Sequence, residues 1–102
     1  MLILFDHVTP AGIARFLAGH TVTKAKDRSD LLTVAEEAVF DLLVIADKNI
    51  RYQQNLEGRR IAPVVLSTPR WPVVKLHVDK IVAAVTAATP GGYFEVEIPK
   101  SN

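Results

Sequence analysis

The sequence predicts an α/β protein built on a mostly parallel sheet of about five strands. Leu42 to Ala46 is an unbroken apolar run bounded by charge, too short for a helix of its own. That is how a strand buried on both faces reads, and such strands belong to the middle of parallel sheets. Leu2 to Phe5 and Ile61 to Leu66 repeat the pattern, and stretches of helical periodicity separate the runs. The order β-α-β-α-β-(α)-β-α-β implies helices on both faces of the sheet, joined by right-handed crossovers.

Each element has its own local signal. Leu2 to Phe5 ends at Asp6, as Leu42 to Ala46 ends at Asp47. Thr9-Pro10 reads as a helix start, with Thr as N-cap and Pro in the first turn. Ile13, Phe16 and Leu17 give that helix an apolar face until Gly19 stops it. His20 to Thr23 is a short β-branched edge strand, and Lys24 to Arg28 a charged loop. Ser29 or Asp30 caps a second helix whose buried face is Leu31, Leu32, Ala35, Ala38 and Val39. Lys48 to Asn55 is polar and reads as a short irregular helix, broken by Gly58. Ser67 to Pro72 reads as a loop with two prolines. Val74, Val78, Ile81, Val82 and Val85 mark the longest amphipathic helix. Pro90-Gly91-Gly92 is a turn, and Tyr93 to Ile98 alternates as a half-exposed final strand.

The 102 residues form one domain, residues 1–102, with a single core. The hydrophobic share of 49% and mean hydropathy of +0.20 are high for so short a chain. They imply two-sided burial of the sheet, an oligomer interface, or both. The absence of cysteine excludes a disulfide framework and thiolate chemistry and suits a cytoplasmic protein. Apolar runs of about five residues fall far short of a membrane span. The amino terminus lacks a basic leader and a small-residue cleavage site, so it reads as the first strand and not as a signal peptide. A net charge of +1 gives no global nucleic-acid footprint, so any basic surface must be local.

Ligands of open α/β sheets collect beyond the carboxyl ends of the strands. If the first and third strands are neighbours, Asp6 and Asp47 come together there. Paired carboxylates share a proton or hold a divalent cation, and Mg2+ favours one or two carboxylates plus water and substrate phosphate. Asp30 is a candidate third carboxylate. The plainer alternative is that all three aspartates cap turns or helices. Lys48, Arg51, Arg59, Arg60 and Arg70 fall in loops after strand ends, interleaved with Tyr52 and Trp71. A basic rim with aromatic faces suits single-stranded nucleic acid. It also fits a solvated surface with the Trp71 ring buried under the last helix. His7, His20 and His77 show no metal-ligand spacing, and only His7, beside Asp6, is near the candidate site. No phosphate loop, nucleophile elbow or zinc signature is present.

The opening Leu2-Ile3-Leu4-Phe5-Asp6-His7-Val8-Thr9-Pro10, followed by Gly19-His20-Thr21-Val22, resembles the start of small bacterial PIN-like proteins. Asp47-Lys48-Asn49-Ile50-Arg51-Tyr52-Gln53-Gln54-Asn55-Leu56, Gly58-Arg59-Arg60-Ile61 and Val64-Val65-Leu66-Ser67-Thr68 before Trp71-Pro72 resemble one branch of that group. The resemblance implies a PIN-like three-layer α/β/α sandwich. PIN domains, VapC-type toxins among them, are Mg2+- or Mn2+-dependent ribonucleases that use clustered acids. Carried over, Asp6 matches the first-strand acid, Asp47 the acid ending the central strand, and Asp30 an acid heading the second helix. Two features depart from the pattern. Asn49 stands where many PIN-like proteins carry an acid, and the segment Lys24 to Ser29 is short.

The expectation is therefore a metal-dependent endoribonuclease, the toxin of a toxin–antitoxin pair. Asp6, Asp47 and Asp30 hold Mg2+ or Mn2+, and Lys48, Asn49, Arg51, Tyr52, Arg59 and Arg60 contact RNA. An antitoxin protein and a second copy of the chain are the expected partners. The alternative is an inactive PIN-like module that binds RNA or a partner protein. A receiver-like regulatory domain fits less well, because it needs an acidic pair after the first strand and a lysine after the last.

Overall fold

The computed structural model describes residues 1–26, 40–46, 61–89 and 92–99. Five strands form one all-parallel sheet: β1 (Leu2–Phe5), β2 (Thr21–Lys24), β3 (Leu42–Ile45), β4 (Ala62–Leu66) and β5 (Phe94–Val96). Their order across the sheet is β2-β1-β3-β4-β5. The protein is thus an α/β fold, and the first and third strands are neighbours. The second helix expected near residues 29–39 and the irregular helix at 48–55 lie outside the described residues.

Burial explains why these short runs become strands. Every residue of β3 and β4 is buried, as inner strands of a parallel sheet require. Alternate side chains sort into two clusters. Ile3, Phe5, Leu42, Val44, Ala62, Val64, Leu66, Val96 and Ile98 share one face with the described helices. Leu4, Leu43 and Ile45 face the other way and pack with Ala25, Phe40 and Ile61. Both faces of the central strands are therefore dry. The strand β5 lies at an edge, where Val96 and Ile98 are buried and Glu95 and Glu97 exposed, as the alternation predicts.

The helices depart from expectation in three places. The first is a 3-10 helix, Ala11–Phe16, and Pro10, not Thr9, stands at its N-cap without a side-chain cap. Thr9 is instead wholly buried, its hydroxyl turned into the sheet. The helix ends at Phe16, which is 49% exposed, and Leu17 leaves the helical conformation to bury its side chain. Gly19 adopts φ 89°, a left-handed turn leading into β2 that glycine enters without a Cβ clash.

The last helical stretch begins earlier than the two prolines suggest. It runs through α1 (Trp71–Val74), a 3-10 turn (Lys75–His77) and α2 (Val78–Ala87). Pro72 sits in the first turn, where its missing N–H would have had no helical partner anyway. Val74, Val78, Ile81 and Val85 are buried as the periodicity predicts. The Trp71 ring lies on Gly12, where an added Cβ would come within 2.7 Å of ring atom Cζ2. Trp71 thus packs the end helix onto the 3-10 helix rather than standing free as a stacking platform. Among the described residues, no helix is long and apolar enough to cross a membrane.

Candidate functional site

The chain leaves β1, forms β2 at one side, then passes back across β1 to β3. The direction of winding therefore reverses between β1 and β3, and the crevice beyond their carboxyl ends is where doubly wound sheets of this strand order take ligands. Asp6 stands at that point. The register pairs Phe5 with Val44, so Asp6 is level with Ile45, two residues before Asp47 in sequence. The Asp6 N–H donates to the Val44 carbonyl at 3.1 Å, which carries the ladder one step past the strand.

The Asp6 side chain has no exposed surface. Its Oδ1 receives the Thr9 N–H at 2.8 Å and the Thr9 hydroxyl. Thr9 Oγ1 also lies 2.9 Å from the Val44 carbonyl oxygen, so this one side chain ties the turn after β1 to β3. The Asp6 carbonyl accepts the Thr9 N–H at 3.3 Å, closing a turn with His7 and Val8 at its centre.

The Thr9 hydroxyl has one proton but two oxygens in reach, Asp6 Oδ1 and the Val44 carbonyl. With Asp6 ionised, the hydroxyl can serve only one of the two, and the other keeps its backbone donor alone, the Thr9 N–H on Oδ1 or the Asp6 N–H on the Val44 carbonyl. With Asp6 protonated on Oδ1, the acid donates to Thr9 Oγ1 and Thr9 donates to Val44. Electrostatics agree. Burial raises the Asp6 carboxyl above its usual range, against the Thr9 bonds, the Ala46 N–H and nearby His7, which pull it down. Burial thus wins over those bonds and favours the protonated form of the Asp6 carboxyl.

Among the described residues, two buried side-chain polar atoms have no hydrogen-bond partner: Asp6 Oδ2 and His7 Nδ1. Buried polar atoms are nearly always paired, so each needs a physical reason. Oδ2 accepts no hydrogen bond of normal geometry, the Ala46 N–H reaching the carboxyl only as a weaker contact, and a carboxylate oxygen of this kind is a ligand that hard divalent cations take. Among the described residues, no group of three His, Cys, Asp or Glu is placed to hold a metal.

Asp47, Asp30, Lys48, Asn49, Arg51, Tyr52, Arg59 and Arg60 lie outside the described residues. Of the expected basic rim the structure places Arg70, which is exposed and stands at the N-cap of α1. His20 is away from the site, its Nδ1 3.2 Å from the Met1 amino group. Thr9 is the residue whose role the sequence disguises. Its signal is the spacing Asp6-His7-Val8-Thr9, in which an aspartate reaches the N–H and hydroxyl three residues on, but a Thr before Pro gives the same local pattern as a helix cap. Comparison with protein-family models, curated proteins and solved structures finds no match for this chain.

Proposed function

We propose that this chain is a PIN-like endoribonuclease dependent on Mg2+ or Mn2+, of the kind that serves as toxin in a toxin–antitoxin pair. The observation that carries the reading is the division of labour within Asp6. Both Thr9 bonds fall on Oδ1 and fix the carboxyl, while Oδ2 accepts no hydrogen bond of normal geometry at the switch point of the sheet. A purely structural aspartate would be expected to spend both oxygens.

In this reading Asp6 holds the cation through Oδ2. Asp47, two residues past the end of the central strand in sequence, and Asp30 supply further carboxylates, as the resemblance implies. When bound, the cation supplies Lewis acidity toward a phosphodiester and lowers the pKa of water. Thr9 keeps the Asp6 carboxyl from rotating, so its free oxygen is presented in one orientation. Lys48, Arg51, Arg59 and Arg60 neutralise RNA phosphates, and Asn49 and Tyr52 contact the nucleotide. The edge position of β5 supports self-pairing into a homodimer. A three-layer PIN-like sandwich, an antitoxin partner and a cytoplasmic location belong to the same proposal.

The test is cleavage of a labelled single-stranded RNA with Mg2+ or Mn2+ against EDTA, using wild type, Asp6→Asn and Asp47→Asn. Metal-dependent cleavage lost in both variants supports the reading. Cleavage by Asp6→Asn at the wild-type rate overturns it. The complete burial of Asp6 favours one competing account, a PIN-like module that binds RNA or a protein without cutting. Retained RNA binding with no cleavage at any metal concentration would select that account.

A further inference from the structure

We propose that His7 Nδ1 is a second ligand beside Asp6 Oδ2, and that the site takes a first-row transition ion in preference to Mg2+. The proposal rests on the metal-dependent reading above and adds to it the identity of a ligand and the class of ion.

The two unpartnered buried side-chain atoms among the described residues belong to consecutive residues at one strand end. Both acceptor-capable atoms come from the same closed turn, Asp6 to Thr9, which the Thr9 N–H pins at the Asp6 carbonyl and at Oδ1. Unrelated orphans would be expected at unrelated places. Two on neighbouring residues at the switch point imply one shared partner that accepts a lone pair from each.

That partner is a cation, and the atom types select which. Mg2+ takes oxygen ligands and keeps its waters. An imidazole nitrogen shifts preference toward the first-row transition ions, whose affinity for nitrogen sites rises along the series from Mn2+. A carboxylate oxygen with an imidazole nitrogen is a transition-ion pair. The turn supplies both from adjacent residues without moving either strand.

The experiment uses Mn2+ as the probe. Pulsed electron paramagnetic resonance on the Mn2+-loaded full chain detects a directly bound imidazole nitrogen as echo modulation, and 15N-histidine labelling changes its frequencies. The proposal expects this modulation in wild type and in His20→Gln/His77→Gln, and its loss in His7→Gln. It also expects His7→Gln to weaken Mn2+ binding about tenfold or more, while Mg2+ binding holds. Bound Mn2+ without nitrogen modulation, or with modulation that survives His7→Gln, overturns the assignment of His7 and leaves the metal-dependent reading standing. Failure of wild type to bind Mn2+ at all overturns both.

Discussion

Replacing Asp6 by asparagine separates a buried acid from a buried anion. The neutral carboxylic acid can donate from Oδ1 to Thr9 Oγ1 and accept the Thr9 N–H on that same oxygen. An amide cannot do both with one atom. Whichever way the substituted amide is turned, one hydrogen bond of the cluster is lost, at a cost of about 1 kcal/mol. In acid, Asp6→Asn is therefore the less stable protein by about that amount. The pH dependence then works in its favour. Because burial raises the Asp6 carboxyl, the folded state binds more protons than the unfolded chain once the unfolded carboxyl ionises. The stability linked to that proton is complete below the unfolded value, near about pH 4, and is lost as pH rises through the folded value. The slope for one proton is at most about 1.4 kcal/mol per pH unit. Asparagine has nothing to titrate, so the wild-type advantage shrinks as pH rises from about 4 toward neutrality. Urea melts of both proteins in EDTA, across that range, measure the difference. A gap that stays constant, or that widens in favour of wild type with rising pH, would show that the Asp6 carboxyl is not raised and that Oδ1 shares no proton with Thr9.

Three further substitutions follow from the packing. Thr9→Val removes the one hydroxyl proton that serves the Val44 carbonyl and Asp6 Oδ1, both of which keep a backbone N–H, and should cost about 0.5–1.5 kcal/mol in urea unfolding; Thr9→Ser, which keeps the hydroxyl, should lose less. Gly12→Ala brings a methyl to 2.7 Å from Trp71, so overpacking of about 1–3 kcal/mol should appear with an altered fluorescence spectrum from the single tryptophan. Leu43→Ala empties a fully buried site in the middle strand and should cost about 2–5 kcal/mol. By contrast Leu76→Ala, at a residue 61% exposed, should change stability by no more than about 0.5 kcal/mol.

The parts of the fold that read correctly from sequence are those whose cause is local. Leu42 to Ala46 reads as a two-sided strand because burial on both faces demands an unbroken apolar run. The final helix reads from Val74, Val78, Ile81 and Val85 because one buried face imposes helical spacing. Asp6 stands out because it ends such a run abruptly. What cannot be read has non-local causes. Strand order depends on which neighbours the chain crosses, and no short window carries that. Thr9 before Pro10 looks like a cap whether its hydroxyl faces a helix or reaches β3, and the Val44 carbonyl that decides the matter is 35 residues away. Trp71 looks like a stacking surface or a core residue alike until Gly12 is found beneath it.

A thermal melt with and without millimolar Mn2+, on wild type and on Asp6→Asn, asks whether the free oxygen of Asp6 is a metal ligand. A ligand held at about a hundred times its Kd stabilises by about 2.7 kcal/mol, a rise in Tm on the order of 10 °C for a domain of this size. The account predicts that rise in wild type and its absence in Asp6→Asn. No rise in wild type would contradict the metal-dependent reading, and the same rise in both proteins would show that Asp6 is a structural clamp and not a ligand.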